Sequence, residues 1–393
     1  MGKIISLLEN LSSIQKMLVL AILGIVLYGT SATVAFSVFS KVLGTSGSGS
    51  GLISSLPSAT GAVEEDPNEP RTEMCPLNGN MHTKRARENW EKRRPLAVMI
   101  ENHQEARPQS GLTSADVIYE AVAEGGITRF MAVFYCNLSD VQVGPVRSAR
   151  TYYLDWLGEY DALYAHVGGA NTPGPADALS QIIKYKVKDL NQFSIGFPTF
   201  WRDYQRLGHS VATEHTMYST TTKLWEIGAK RGWTAEDEDG NKWAEDFTAW
   251  KFKEGKSAGS AQTIKVPFWE SQGNYTVEWS YDATNNSYKR KNGGVEHTDL
   301  NNKKTIESKN VVIQFERESN ANDGYENNVH LLYGTTGTGK ALFFQNGQLI
   351  EGKWTKASRL ARTKYTDVKG NEVEFVKGQI WIQTVPEGSK VTY

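Results

Sequence analysis

The feature that most constrains this chain is an uncharged apolar segment near its start. Met17–Phe39 contains 23 residues and no Asp, Glu, Lys or Arg. An α-helix needs about 20 such residues to cross the hydrocarbon core of a bilayer. Lys3 and Lys16 precede the segment, and after Lys41 no charge occurs before Glu64. Because basic residues stay on the cytoplasmic side, the pattern predicts that the rest of the chain is exported.

We therefore predict a single-pass protein of the cell membrane, with residues 1–16 in the cytoplasm, residues 17–39 as the anchor and all later domains extracytoplasmic. A cleaved signal peptide is the main alternative, since Thr33-Val34-Ala35 offers small residues near a candidate cleavage position. The uninterrupted length favours an uncleaved anchor, and the sequence leaves cleavage open.

A flexible linker and two folded parts are predicted to follow the apolar segment. Gly44–Glu69 is rich in Gly, Ser, Thr and Pro, a composition that cannot bury a core, and we assign residues 40–80 to a tether. A chain of 393 residues has room for roughly two domains of about 150 residues each. The acidic stretch Ala235–Gly240 separates them, which gives an N-terminal domain at 84–234 and a C-terminal domain at 260–393.

Charge and cysteine content exclude several classes of protein. The formal net charge of -1 lacks the basic excess of a general nucleic-acid binder. The two cysteines, Cys75 and Cys136, form no CxxC or Cys/His cluster, so we expect no structural zinc site. They form one disulfide in an oxidising compartment or remain two unpaired small residues, and the sequence leaves both readings open.

Patterns of apolar residues predict the secondary structure of both parts. The first part is expected to be mixed, with strands at Leu96–Ile100, Val117–Glu124, Ile127–Cys136 and Ala162–Val167 and helices at Thr151–Tyr160 and Pro173–Lys184. The second part is expected to be mostly β, with strands at Thr263–Phe268, Tyr275–Tyr281, Val311–Phe315, His330–Tyr333, Ala341–Gln345 and Glu374–Gln383. Asn346-Gly347 is a strong hairpin signal. The predicted fold class is therefore α+β: a mixed α/β N-terminal half followed by a mostly β C-terminal half, after one N-terminal transmembrane helix.

One glycine-rich stretch imitates a nucleotide-binding motif. Gly334–Ala341 fits the phosphate loop of nucleotide hydrolases except at its last position. That position needs Ser or Thr to ligate magnesium and must open a helix. Here it is Ala341, and a hairpin is predicted to follow. We therefore expect a glycine-rich connection between strands, with no nucleotide and no other cofactor.

The strongest candidate for a binding site is Gly144–Arg150, which we call the arginine corner. Its two guanidinium groups, on Arg147 and Arg150, follow a Gly-Pro turn that fixes the backbone presenting them. Arginine offers a planar fork of donors that suits carboxylates and phosphates. The segment therefore predicts an anion-binding site, although the sequence does not identify the anion.

A second cluster of aromatic and basic residues lies further along the chain. Arg202 and Arg206 follow Phe200-Trp201, and His209 and His215 come soon after. His215 precedes a predicted helix start, where the helix dipole favours an anion. Metal binding by His209 and His215 needs a third ligand that the sequence does not identify, so we predict no metal site.

Four stretches resemble the YerB-like family of bacterial envelope proteins, also called domain of unknown function 3048. They are Arg94–Asn102, Ala106–Gly111, Glu124–Phe130 and Gly144–Arg150. The resemblance covers residues 94–393 and implies an extracytoplasmic protein with an α+β fold in two parts, without an established reaction. It also implies relatives anchored as lipoproteins through a cysteine, in place of which this chain has its apolar segment. Where the family usually reads Pro-His-Asn, this chain has Glu214, His215 and Thr216.

The residues expected to bind a ligand come from predicted strand ends and from these motifs. They are Glu101, Asn102, Arg107, Glu124, Arg129, Arg147, Ser148, Arg150, Arg202 and His215. We predict that this arginine-rich face binds an anionic glycan, a lipid-linked precursor or a partner protein. Two alternatives stay open. One is an enzyme acting on envelope polymers, either phosphotransferase-like or glycosidase-like with Glu101 and Glu120 or Glu124 as its carboxylate pair. The other is a regulator of a cell-wall enzyme.

Overall fold

The structure is a computed structural model that describes residues 68–259, 262–269 and 271–393. The predicted cytoplasmic segment, residues 1–16, and the predicted membrane anchor, residues 17–39, lie outside the described residues. Within the described part, the helices are all too short or too polar to cross a membrane.

Many short strands and a few short helices make up the described chain. The strands of the first half are β1 (Arg71–Met74), β2 (Met81–Thr83), β3 (Leu96–Glu101), β4 (Val117–Glu124), β5 (Ile127–Phe134), β6 (Gln142–Val143), β7 (Leu163–His166), β8 (Lys188–Asn191), β9 (Trp201–Arg202) and β10 (Met217–Thr220). Those of the second half are β11 (Phe252–Lys253), β12 (Thr263–Val266), β13 (Val277–Asp282), β14 (Ser287–Asn292), β15 (Val295–Glu296), β16 (Glu307–Ser308), β17 (Asn310–Glu316), β18 (Glu318–Asn320), β19 (Leu331–Tyr333), β20 (Gly337–Gln345), β21 (Gln348–Lys356), β22 (Lys364–Asp367), β23 (Phe375–Val376) and β24 (Ile380–Pro386). The α-helices are Lys84–Trp90, Thr151–Leu157, Ala178–Lys184, Gln192–Ile195, Thr221–Lys230 and Trp243–Asp246. Short 3-10 helices occur at Gln104–Ala106, Leu112–Ser114, Thr213–His215, Gly273–Tyr275 and Tyr325–Asn327.

A ten-stranded mixed sheet takes strands from both halves of the chain. Its order is β22-β21-β20-β17-β24-β4-β5-β3-β7-β8. The halves meet where β24 pairs in parallel with β4, so the last strand of the sequence lies beside one of the first. Strands β3, β4 and β5 are buried along almost their whole length, which explains their nearly continuous apolar sequences.

Both faces of this sheet are covered. Successive strand residues point to opposite faces, and on β4 the ring of Tyr119 stacks on Trp156 of the helix Thr151–Leu157. The next residue, Glu120, faces the other way and is paired with Arg290 of β14. β14 belongs to a five-stranded sheet, β12-β13-β14-β15 with β16 also paired to β14. The central sheet therefore lies between a helical layer and a second, smaller sheet.

The segment between the two halves is also packed against the core. Trp243 is buried, and its Nε1 donates a hydrogen bond to the carbonyl of Tyr160. Trp250 is also buried, and its ring packs against Phe375. Residues 235–259, which lie between the two predicted domains, therefore contact both halves through these two tryptophans.

Most predicted elements occur, with shifted ends. The structure confirms a mixed and mostly β chain, with the helix Thr151–Leu157 shorter than predicted. The hairpin turn at Asn346-Gly347 is confirmed, since both residues have positive φ, as a tight two-residue turn requires. Gly337–Gln345 forms strand β20, so the glycine-rich stretch continues into a strand rather than the helix of a phosphate loop.

The folded part begins earlier than the sequence suggested. β1 pairs with β2 in an antiparallel hairpin, although β1 falls within the predicted tether of residues 40–80. Cys75 and Leu77 are fully buried, and Cys75 forms a disulfide with Cys136. The disulfide settles the alternative that the sequence left open and ties this hairpin to the end of β5.

Candidate functional site

The arginine corner runs beside the end of β3. The backbone N–H of Arg147 donates to the carbonyl of Met99, at 2.9 Å, and that of Val146 donates to Met217 of β10, at 2.7 Å. A Cβ atom on Gly144 would lie 2.8 Å from the Met217 carbonyl oxygen, so this close approach requires glycine. The corner is therefore held between two strands and brings Arg147 next to Glu101.

Arg147 is the arginine of the corner that reaches the surface. Its Nε donates to Glu101 Oε1 at 3.0 Å, and 28% of its side chain is exposed. Arg150, by contrast, is buried and forms an ion pair with Glu124. The predicted pair of anion-binding arginines is therefore split between a surface position and an internal one.

A further buried arginine, Arg129, bonds to the backbone of the corner. Arg129 Nη2 lies 3.3 Å from Glu124 Oε2, and its Nη1 donates to the backbone carbonyl of Ser148 at 2.9 Å. Arg150 Nη1 likewise donates to the carbonyl of Ala149, at 2.7 Å. Arg129 and Arg150 thus both bond to the backbone of the corner, and Glu124 pairs with both of these arginines.

Both carboxylates of this region are held in the ionised form. Burial opposes the ionisation of Glu101, but the hydrogen bond from His215 and the charge of Arg147 outweigh it and lower the pKa of Glu101. Burial likewise opposes the ionisation of Glu124, yet Arg129 and Arg150 lower its pKa to about 2. Neither group therefore has the raised pKa expected of a general acid.

Arg147 opens into a cleft of about 580 Å³. Six of the residues that line it are Arg147, Ser148, Phe193, Arg202, Thr213 and Glu214. Arg202 Nη1 donates to the Thr213 carbonyl at 2.5 Å and to Thr216 Oγ1 at 3.3 Å, which fixes the orientation of its guanidinium. The structure therefore brings together three of the predicted ligand residues, Arg147, Ser148 and Arg202, in one solvent-accessible cleft.

An aromatic ring forms part of the same cleft. Phe193 is 76% exposed and lies over Gly168, where a Cβ atom would be only 3.0 Å from the ring. Gly168 also has a positive φ of 57°, which favours glycine. The sequence did not point to Phe193, because nothing local distinguishes it from a core phenylalanine.

His215 lies beside the cleft and has a different setting from the one predicted. It ends the 3-10 helix Thr213–His215 and is followed by strand β10, so the helix Thr221–Lys230 begins too far along the chain for its dipole to act there. His215 is buried; its Nδ1 lies 2.8 Å from Glu101 Oε2, and its ring stacks on His103. Its predicted role as an anion ligand at a helix start is therefore not supported by its position.

Asn102 and Arg107 belong to a polar network away from the cleft. Asn102 is fully buried, donates to Thr128 Oγ1 at 2.6 Å and accepts from Arg107 Nε at 3.1 Å. Arg107 also donates to the carbonyl of Asn274, at 2.9 Å, which connects the two halves of the chain. Arg107 lines a separate cavity of about 350 Å³. These two predicted ligand residues are thus not part of the cleft that Arg147 and Arg202 line.

Arg206, the second arginine of the aromatic cluster, is occupied by the backbone. Its guanidinium donates to the carbonyls of His215, Pro108 and Glu105 at 3.2, 3.0 and 2.7 Å. Three carbonyl contacts from one guanidinium fix the loop that carries His215. Arg206 therefore supports the site and is not directed at a ligand.

Comparison with known proteins identifies the family. Residues 82–234 match the model described as "Protein of unknown function (DUF3048) N-terminal domain", and residues 264–382 match that of the DUF3048 C-terminal domain. The chain belongs to the DUF3048 family. The predicted family resemblance is therefore confirmed. One matched range lies in the first half of the folded part and the other lies in the second half.

Two comparisons with a Bacillus subtilis protein agree with this family membership. The chain is 31% identical over 297 residues to the strain 168 protein named "Putative lipoprotein YerB", which covers 75% of this chain and 82% of that protein. It is also similar to the crystal structure of YerB from Bacillus subtilis, with a TM-score of 0.68 and 27% identity. That match covers 82% of this chain and all of the other. Both family models are described as being of unknown function.

Proposed function

We propose that this DUF3048 protein binds an anionic glycan or lipid-linked precursor of the cell envelope in the cleft between Arg147 and Arg202. The observation that carries the proposal is that both guanidinium groups line one open cleft of about 580 Å³. Each keeps part of its donor set for a ligand, since the hydrogen bonds described above use Nε of Arg147 and Nη1 of Arg202. Two guanidinium groups on one cleft suit phosphate or carboxylate groups.

Phe193 favours a sugar-bearing ligand over a simple inorganic anion. Its exposed ring forms an apolar wall beside the two arginines. Aromatic side chains commonly combine an apolar contact face with polar groups that fix the orientation of a ligand. A sugar phosphate or uronic acid can place its apolar face on such a ring while its charged group meets Arg147 or Arg202.

The carboxylates favour binding over glycoside hydrolysis. Glu120 is fully buried in its ion pair with Arg290 and cannot contact a substrate. Glu101 and Glu124 are both paired with arginines that lower their pKa, whereas a glycosidase needs one carboxylic acid that stays protonated. An enzymatic function would therefore have to use other residues than the predicted carboxylate pairs.

We further propose that the protein is held at the outer face of the cell membrane by the apolar segment Met17–Phe39. The support is the uncharged length of that segment and the name "Putative lipoprotein YerB" of the similar Bacillus subtilis protein. Treatment of intact cells with a protease should degrade the part from Arg94 to Tyr393. Protection of that part in intact cells, with degradation after lysis, would contradict the proposed location.

The proposed ligand is tested by capture from solubilised envelope with the detergent-solubilised full chain, read for glycans and for proteins. Arg147→Ala and Arg202→Ala are the cleft variants, and Arg85→Ala is the control because Arg85 is an exposed arginine on the helix Lys84–Trp90. We expect a phosphate- or carboxylate-bearing glycan that both cleft variants lose and the control retains. Capture of a protein that both cleft variants retain would overturn the proposal and favour a regulator of a cell-wall enzyme.

A further inference from the structure

We propose that His103, Glu105 and His215 bind a divalent transition metal ion of the Zn²⁺ type. One ligand atom from each of the three residues lies within 4.8 Å of the others. The sequence argued against a metal because His209 and His215 lacked a third ligand. The structure instead supplies two other donors, Glu105 in the 3-10 helix that follows β3 and His103 directly before that helix.

His215 has the orientation of a metal ligand. Its Nδ1 is 2.8 Å from Glu101 Oε2, so with the proton on Nδ1 it donates to that carboxylate and leaves the lone pair of Nε2 available. Nε2 faces Glu105, whose Oε2 is 3.6 Å away. Metal-binding histidines commonly donate their second ring N–H to a carboxylate in this way, which fixes the tautomer and the ring orientation.

The supporting carboxylate is itself held firmly. Glu101 is buried, and its other oxygen accepts from Arg147 Nε at 3.0 Å. Glu101 is therefore a positioning residue for His215, and it does not need to contact the ion. This arrangement distinguishes the cluster from a chance meeting of surface side chains, because its central histidine is buried and oriented before any ion binds.

The other two ligands must move to complete the site. The rings of His103 and His215 are stacked, 4.6 Å apart and within 3° of parallel. Imidazole lone pairs lie in the ring plane, so two parallel rings cannot both point at one ion and His103 has to turn. Turning gives up the 3.3 Å hydrogen bond that His103 Nδ1 accepts from the Glu105 backbone. Bonds of about 2.0–2.2 Å also require the donors to close to about 3.3 Å of one another.

That movement is available to the two residues that need it. His103 is partly exposed, and the Glu105 side chain is 51% exposed, whereas His215 is fixed in the interior. Two imidazoles and one carboxylate leave one coordination position of the ion open, as in His₂Glu zinc sites. Ca²⁺ and Mg²⁺ prefer ligand sets made of oxygen alone, so the two histidines do not suit these ions. None of these three residues is among the two arginines proposed to bind the ligand of the cleft, so the metal site does not depend on that ligand.

To test the site, metal is first removed from the detergent-solubilised full chain with a chelator. Zn²⁺ is then titrated into the protein, and its binding is measured by calorimetry. We expect one Zn²⁺ per chain, with a Kd at least 10-fold weaker in His103→Ala and in Glu105→Gln. His209→Ala is the matched control, because His209 is an exposed histidine of the same region and lies outside the described cluster. Its affinity should equal that of the unmodified chain.

A second readout separates metal binding from changes in folding. Thermal unfolding without metal should be similar for all four proteins, and added Zn²⁺ should raise the Tm of the unmodified chain and of His209→Ala by more than that of the other two. No saturable binding, or equal affinity in His103→Ala, would overturn the proposal. Either result would leave His215 as a histidine bridged between the carboxylates of Glu101 and Glu105 for structural reasons.

Discussion

Glu120 and Arg290 form a fully enclosed ion pair that joins the two halves of the chain. Arg290 Nη2 lies 2.7 Å from Glu120 Oε1 and 3.0 Å from Oε2, and both side chains are 0% exposed. Trp381 Nε1 and Gln383 Nε2 each donate to Oε2 at 2.9 Å. These donors satisfy a carboxylate that would otherwise be costly to bury.

Removing one member of this pair should be strongly destabilising. Glu120→Gln leaves the charge of Arg290 buried without its partner, and we expect a loss of about 3–5 kcal/mol in the free energy of unfolding. Denaturant unfolding measures the loss. Glu91→Gln is the control, because Glu91 pairs with Arg87 on the surface, where such a pair contributes about 0–1 kcal/mol. Equal losses in the two variants would show that the enclosed pair has no special role.

The disulfide should contribute measurably to stability. Cys75 and Cys136 are 61 residues apart in sequence, so their bond restricts a long loop in the unfolded chain. We expect the double variant Cys75→Ser with Cys136→Ser to lose about 2–4 kcal/mol. The free energy of unfolding of the unmodified chain under reducing conditions should approach that of the variant. If a reducing agent lowers the free energy of unfolding of the unmodified chain and of the variant by the same amount, the disulfide between Cys75 and Cys136 is contradicted.

Stability should fall as the pH rises through the range in which Glu316 ionises. Burial raises the pKa of Glu316 from its ordinary value of 4.5 to about 8. Between these two pH values, Glu316 is therefore protonated in the folded state and ionised in the unfolded state. Raising the pH across this range favours the unfolded state. We expect the free energy of unfolding to decrease from pH 6 to pH 8, and Glu316→Gln to flatten that decrease. A variant that keeps the full slope would assign the pH dependence to other groups.

Substitution of a buried arginine should lower the free energy of unfolding more than substitution of an arginine that lines the cleft. Arg150 is buried against Glu124, and Arg150→Ala leaves that carboxylate with Arg129 alone, so we expect a loss of about 1–3 kcal/mol. Arg202 is exposed, and Arg202→Ala should change the free energy of unfolding by less than about 0.5 kcal/mol. Thermal and denaturant unfolding of both variants check this. A large loss in Arg202→Ala would make that arginine structural and weaken the proposed binding cleft.

The candidate site could be predicted only in part. The arginine corner was identified because a Gly-Pro turn followed by two arginines is a local pattern. Local sequence could not show that Arg147 reaches a cleft while Arg150 turns inward to Glu124, since the difference depends on which strands flank the corner. His103 and Glu105 were not selected because their partner, His215, is more than a hundred residues further along the chain.

The sequence by itself determined the approximate positions of β3, β4, β5 and β17, the hairpin at Asn346-Gly347 and the family, because each depends on residues close together in the chain. Only the tertiary structure decided that β24 pairs with β4 and that Glu120 meets Arg290. It also decided that Cys75 pairs with Cys136. The physical reason is that such contacts join segments far apart in sequence, and hydrophobic burial selects among many pairings that local periodicity leaves equally acceptable.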